Sequence, residues 1–153
     1  MSSDNEILLI EDDEADIELA LHALRENKLI NHIQVLRDGE EALDYLLGSG
    51  CDARGPSGQM PKLILLDLKL PKVDGIEVLR RIKSDPTTKF IPVVILTSSK
   101  EERDLVRGYD LGVNSYIRKP VDFNQFREIV TQVGLYWLVI NQPAPVQLEP
   151  VVL

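Results

Sequence analysis

In LILLDLKLP, residues 63–71, four apolar residues run straight into a carboxylate. Leu63–Leu66 show no polar alternation, which is the pattern of a short strand covered on both faces. Asp67 follows without a break. A carboxylate at the end of a buried strand is costly unless something nearby compensates it. Leu70-Pro71 then ends the strand and turns the chain toward the next element.

Outward from this stretch, four further apolar runs appear: Ile7–Ile10, Ile33–Leu36, Ile91–Leu96 and Val113–Ile117. Between them the apolar residues recur at helical spacing: Ile17, Leu21 and Leu24; Ala42, Leu43, Leu46 and Leu47; Ile76, Leu79 and Ile82; Leu105 and Tyr109; Phe126, Ile129, Val130 and Val133. Strand and helix alternate five times. That rhythm predicts an α/β domain with a parallel sheet and helices on both of its faces. GSGCDARGPSGQMP, residues 48–61, predicts a long flexible loop before the third strand. From Asn141 the sequence NQPAPVQLEPVVL contains three prolines and cannot continue a helix. The expected organisation is one domain over residues 1–140 and a Pro-rich tail over 141–153, with no room for an output domain.

The 153 residues suffice for one real core, and 44% are hydrophobic, too many for a disordered chain. The formal net charge of −8 argues against direct nucleic-acid binding, which usually needs a basic face. Cys51 is the single cysteine, so no intramolecular disulfide can form, which fits a reducing compartment. The N-terminus, MSSDNE, shows no signal-peptide pattern, and no apolar run approaches the ~18 residues of a membrane span. A cytoplasmic domain without membrane attachment is expected.

In an open parallel α/β sheet, ligands bind beyond the carboxyl ends of the strands. After the first strand stand Glu11, Asp12 and Asp13. The third ends at Asp67, the fourth at Thr97-Ser98-Ser99, and the fifth is followed by Lys119-Pro120. Each alone has an ordinary explanation: EDDE can cap a helix and suit its dipole, Asp67 can be a turn residue, Thr97 a cap, Lys119 a solvated charge. Together, four elements place complementary groups at one rim. Converging carboxylates repel one another and need neutralising. Mg²⁺, a hard cation that keeps several waters and favours phosphate, suits such a set. No Cys/His pairing supports zinc, since His22 and His32 are isolated. A carboxylate beside Mg²⁺ and a lysine is suited to accept a phosphoryl group, because phosphoryl transfer is mostly positioning plus electrostatics.

ILLIEDD, LILLDLKLPKVDG, VVILTSS and NSYIRKP, in this order and spacing, resemble the receiver domain of two-component response regulators over residues 5–139. The resemblance implies a flavodoxin-like (βα)5 doubly wound fold with a five-stranded parallel sheet in the order 2-1-3-4-5. It implies Asp67 as phosphoacceptor, and Glu11, Asp12, Asp67 and the backbone carbonyl of Lys69 as ligands of Mg²⁺. Thr97 and Lys119 match the groups that bind the phosphoryl group. Thr97 and Tyr116 match the switch pair, and Lys119-Pro120 a peptide bond that is cis in the family. Lys69 and Ser99 occupy variable positions that influence how readily water reaches the phosphoryl group, and the 48–61 loop is longer than usual. This loop, SDPTTKFIPVVILTSS and the aromatic end of the last helix are similar to small stand-alone receivers paired with phytochrome-type histidine kinases. The implied partner is a histidine kinase, and the implied role is a phosphoacceptor that assists its own Mg²⁺-dependent phosphorylation and dephosphorylation, not an enzyme acting on a separate substrate.

Output would then pass through surface contacts. GLYWLVI, residues 134–140, is apolar almost all round, so Leu135, Tyr136, Trp137, Leu138, Val139 and Ile140 cannot all face the core. With Tyr109 of the fourth helix they form a candidate partner interface, for which a symmetric homodimer is the default; the alternative is a tail that folds back over them. An aspartyl phosphatase would need a second Asp two residues past Asp67, where Lys69 stands. A flavin module would need a phosphate-cradling loop where EDDE repels phosphate. A phosphorylation-independent dimeric adaptor with a receiver fold is the remaining alternative.

Overall fold

The apolar runs become strands β1 (Ile7–Ile10), β2 (Ile33–Leu36), β3 (Leu63–Leu66), β4 (Val93–Thr97) and β5 (Ser115–Arg118). Helices α1 (Glu14–Glu26), α2 (Gly39–Leu47), α3 (Gly75–Ser84), α4 (Glu102–Asp110) and α5 (Phe123–Leu135) alternate with them. The computed structural model describes residues 7–26, 32–48 and 60–144. Cys51, most of the long loop, the chain beyond Ala144 and any fold-back of its final residues lie outside the described residues.

All five strands are parallel, in the order β2-β1-β3-β4-β5. The register sets Ile10 beside Leu66 and Leu66 beside Ile95, so β1, β3 and β4 end nearly level. The missing alternation has the expected cause. Leu8, Ile10, Ile64, Leu66, Val93 and Ile95 face one side of the sheet, where Leu46, Val78, Leu79 and Ile82 of α2 and α3 cover them. Ile7, Leu9, Leu63, Leu65, Val94 and Leu96 face the other, under Ile17, Leu24, Phe126 and Val130 of α1 and α5. Each fully buried Leu or Ile stabilises the fold by roughly 1.5–3 kcal/mol. The sheet is therefore a rigid platform for whatever stands at its ends.

Two strands start later than the apolar runs suggest. β4 begins at Val93 rather than Ile91 because Pro92 has no N–H to give to the ladder, although its carbonyl still accepts from Ile64 N. β5 begins at Ser115 because Gly112, at φ +93°, turns the chain after α4. Asp38, Asp74 and Asp122 cap α2, α3 and α5 by accepting backbone N–H groups of the first turn. In α4, Gly108 is the buried residue and Leu105 is half-buried, while Tyr109 is exposed, as expected of a residue of the candidate interface. No described helix is long and apolar enough to cross a membrane.

Beyond α5 the chain adds one π-helical turn, Tyr136–Ile140. Such turns are rare and frequently sit at functional places. This one divides the apolar run. Trp137, expected to face outward, packs with Leu138 against the α1/α5 core, and its ring meets Tyr136 edge-on at 5.0 Å. Leu135, Tyr136, Val139 and Ile140 remain exposed. Val121, in the β5–α5 connection, and Phe123, the first residue of α5, which the spacing did not single out, are exposed as well.

Candidate functional site

The ends of β1 and β3 bring the carboxylates together. Glu11 N donates to Leu36 O at 2.9 Å and Asp67 N to Ile10 O at 3.0 Å, so both residues are still held by the ladder where their side chains leave it. Glu11 is 3% exposed and Asp67 6%. Asp12 lies further out and is exposed. Glu11, Asp12 and Asp67 each offer a carboxylate oxygen within 4.8 Å of the others.

The turn after β3 fixes Asp67 further. Gly75 N donates to Leu68 O at 2.8 Å. A Cβ on Gly75 would stand 2.4 Å from Asp67 O and 2.5 Å from Leu68 Cα, so only glycine lets α3 start this close to the phosphoacceptor candidate. Lys69 N donates to Asp67 Oδ1 at 3.4 Å, and the Lys69 side chain points to solvent.

Lys119 arrives from the far side of the sheet. Its N–H donates to Thr97 O at 2.8 Å, which carries the β4–β5 pairing one residue past the strands. The side chain is 8% exposed, and Nζ donates to Glu11 Oε1 at 2.6 Å, Asp16 Oδ2 at 2.7 Å and Asp67 Oδ2 at 3.4 Å. The Lys119-Pro120 bond, expected cis, is trans: none of the described residues follows a cis peptide bond. The trans preference before proline is only about 0.5–1 kcal/mol, so a Lys-Pro pair does not by itself fix the isomer. Asp16 was not among the expected residues. Its signal was present, three residues past Asp13 in the first turn of α1 and so at the same rim.

These groups line an open cleft of about 570 Å³ together with Asp13 and Ser98. Burial, reinforced by Asp67, pushes the Glu11 carboxyl up to about 8 against the opposing pull of Lys119. Burial disfavours the Lys119 ammonium, but its bonds to Asp16 and Glu11 outweigh that and raise its pKa. Lys119 is therefore charged at neutral pH, while Glu11 lacks enough positive charge to ionise comfortably. An all-oxygen set with an excess of carboxylate, two of them buried, is the donor set of a hard divalent cation.

Thr97 ends β4 with no exposure. Its Oγ1 accepts from Ser99 N at 3.3 Å, and Ser99 Oγ donates to Asp104 Oδ2 at 2.6 Å. This chain ties the end of β4 to the first turn of α4, a connection the sequence did not reveal. Tyr116, opposite Ile95 on β5, lies against Gly108, where an added Cβ would come within 3.4 Å of its ring. Among the described residues its hydroxyl, shielded from solvent, makes no well-formed hydrogen bond, although Ser99 lies close by. Burial raises its pKa, with Ser99 the neighbour that eases the shift. The ring therefore lies inward, under α4. Tyr109 is exposed on the outer face of α4.

Residues 7–131 match the family model of the response regulator receiver domain. The chain belongs to the response regulator receiver family. Among relatives, it is 43% identical to the "Probable methanogenesis regulatory protein FilR2" of Methanothrix harundinacea, over 91% of this chain and 88% of that one. It is 41% identical to response regulator Rcp1 of Synechocystis sp., over 90% and 92%. The phosphorylated cyanobacterial phytochrome response regulator RcpA superposes with a TM-score of 0.85 at 43% identity, covering 93% of this chain and 99% of that one. The Mn²⁺-bound form of Rcp1 superposes with a TM-score of 0.83 at 38% identity, covering 91% and 98%. The receiver has five parallel strands in the order 2-1-3-4-5, in a fold that superposes on that of RcpA. Its acidic cluster at the strand ends is consistent with divalent-metal binding.

Proposed function

We propose that this receiver is a phosphorylation switch in which Asp67 accepts a phosphoryl group from a histidine kinase, of the phytochrome type by similarity to RcpA. The observation that carries the proposal is the convergence of Glu11, Asp67 and Lys119, with Lys119 Nζ within 3.4 Å of both carboxylates. Glu11, Asp12, Asp67 and the Lys69 carbonyl would hold Mg²⁺. Bound there, the ion offsets the charge of the carboxylates and of the incoming phosphoryl oxygens.

Asp67 supplies the nucleophile. One of its carboxylate oxygens forms the new O–P bond as the N–P bond of the kinase phosphohistidine breaks and the imidazole leaves. Burial and the Gly75 turn hold that oxygen in one place, which lowers the entropic part of the barrier. Lys119 keeps its proton and pairs with the phosphoryl oxygens, and the Thr97 hydroxyl donates to them. When Thr97 turns toward the phosphoryl group it pulls on Ser99, and through it on Asp104 and α4. Tyr116, already turned inward under α4, then packs into the space Thr97 vacates. Phosphorylation thereby biases two arrangements of the α4–β5–α5 face through contacts that differ between them.

Output would leave through Leu135, Tyr136, Val139 and Ile140, with Trp137 supporting them from beneath, and through Tyr109 of α4, most simply as a symmetric homodimer. A cytoplasmic protein without nucleic-acid or membrane contacts fits this scheme. Incubation with acetyl phosphate and Mg²⁺ followed by intact mass should show one phosphoryl adduct in the natural protein and none in Asp67→Asn. If neither acetyl phosphate nor a phosphorylated histidine kinase yields an adduct, the phosphorylation-independent dimeric adaptor is the correct description.

A further inference from the structure

We propose that Asp16 is a positioning residue that holds Lys119 aside so that Glu11 and Asp67 are free to take the divalent cation. The proposal rests on the metal and phosphoryl roles assigned above, and it concerns the residue that lets those roles coexist.

The Lys119 ammonium has three donors and, among the described residues, three carboxylate acceptors. Two of the three, Glu11 and Asp67, belong to the group of oxygens that would bind the ion. The same two carboxylates are therefore wanted by two cations. A buried ammonium left without acceptors next to a divalent ion would be both unpaired and beside a like charge, an expensive arrangement. Among the described residues Asp16 is the only partner of Lys119 outside the metal group, and at 2.7 Å it is nearly as close as Glu11 at 2.6 Å and closer than Asp67 at 3.4 Å. It lies in the first turn of α1, with its backbone N–H held by Asp13 Oδ1 at 3.1 Å, so its backbone is anchored independently of Lys119. Its side chain is about a quarter exposed, and water can satisfy its second oxygen. When Glu11 and Asp67 turn to the ion, Lys119 keeps the Asp16 bond. It then remains within reach of a phosphoryl group on Asp67 without blocking metal entry.

Asp16 also adds negative charge to the cleft, which attracts a cation wherever Lys119 points. A double-mutant cycle on Mg²⁺ affinity separates the two effects. Mg²⁺ binding is measured by calorimetry, without phosphodonor, for the natural protein, Asp16→Asn, Lys119→Met and the double variant. Asp16→Asn should weaken Mg²⁺ binding about tenfold when Lys119 is present and less than about twofold in the Lys119→Met background. Asp16→Ser is a second replacement that also removes the charge and should behave alike. Each variant is first checked for an unchanged circular dichroism spectrum. Equal losses in both backgrounds would reduce Asp16 to a background charge and overturn the positioning role. No loss in either background would overturn it too, while leaving the metal site intact. Absence of Mg²⁺ binding to the natural protein would overturn the metal assignment and the Asp16 proposal together.

Discussion

Replacing Glu11 by Gln should make the metal-free protein more stable near neutral pH, and the gain should vanish in mild acid. Glu11 is buried beside Asp67, and its carboxyl is pushed from an ordinary 4.5 up to about 8. A carboxyl whose folded pKa lies above its unfolded one contributes fully below the unfolded value. That contribution is lost as pH rises toward the folded value. Over the whole interval from 4.5 to about 8 the loss is at most roughly 5 kcal/mol, at about 1.4 kcal/mol for each tenfold change in proton affinity. Between pH 5.5 and 7.5 it is up to about 2.5 kcal/mol. Lys119, whose pKa is raised, stays charged across this range in both folded and unfolded chains and adds no slope. Lys83, lowered by burial to about 8, acts mainly above the range. Gln keeps the shape of Glu11 and an acceptor for Lys119 but does not ionise.

The assay is urea unfolding followed by circular dichroism, in EDTA, at pH 5.5, 6.5 and 7.5. With a slope of about 2 kcal/mol per molar urea, the difference in midpoint between Glu11→Gln and the natural protein should grow by roughly 1 M from the lowest pH to the highest. Saturating Mg²⁺ should stabilise the natural protein at pH 7.5, by about 2.7 kcal/mol at one hundred times Kd, and should stabilise the variant much less. A midpoint difference that stays constant across the three pH values would refute the claim that Glu11 is the strained carboxylate of the site.

Gly75→Ala should destabilise the fold by about 1–3 kcal/mol, because the new Cβ meets backbone at Asp67 O and Leu68 Cα, not a yielding side chain; a melting temperature equal to that of the natural protein would show that α3 has room to shift. Tyr116→Phe should leave stability unchanged or raise it by up to about 1 kcal/mol, since it removes a shielded hydroxyl that makes no well-formed hydrogen bond among the described residues. A clear loss in urea unfolding would mean that the hydroxyl is bonded after all. Val139→Glu with Ile140→Glu places charge on the exposed end of the π-helical turn and should convert a dimer into a monomer in sedimentation. A natural protein that is already monomeric at high micromolar concentration, with and without phosphorylation, would remove the interface from the mechanism.

The sequence by itself determined the sheet and most of its rim. Leu63–Leu66 and the runs around them lack alternation because both faces of the sheet are covered, so periodicity alone reported a parallel α/β architecture. Asp67, Glu11, Asp12, Thr97 and Lys119 were legible because each ends a strand or stands within two residues of its end, and strand ends in such a sheet lie at one edge. Only the tertiary structure decided how those groups pair. The contact of Lys119 with Glu11 spans 108 residues and that with Asp16 spans 103, and no local pattern encodes which of several carboxylates a lysine will meet. Nor could spacing show that Ser99 would reach Asp104, that Trp137 would turn inward on a π-helical turn, or that Lys119-Pro120 would be trans. Periodicity reports which face of an element is buried. The register between distant elements is set by packing, and small differences in packing energy decide which rotamer, isomer and ion-pair partner is found.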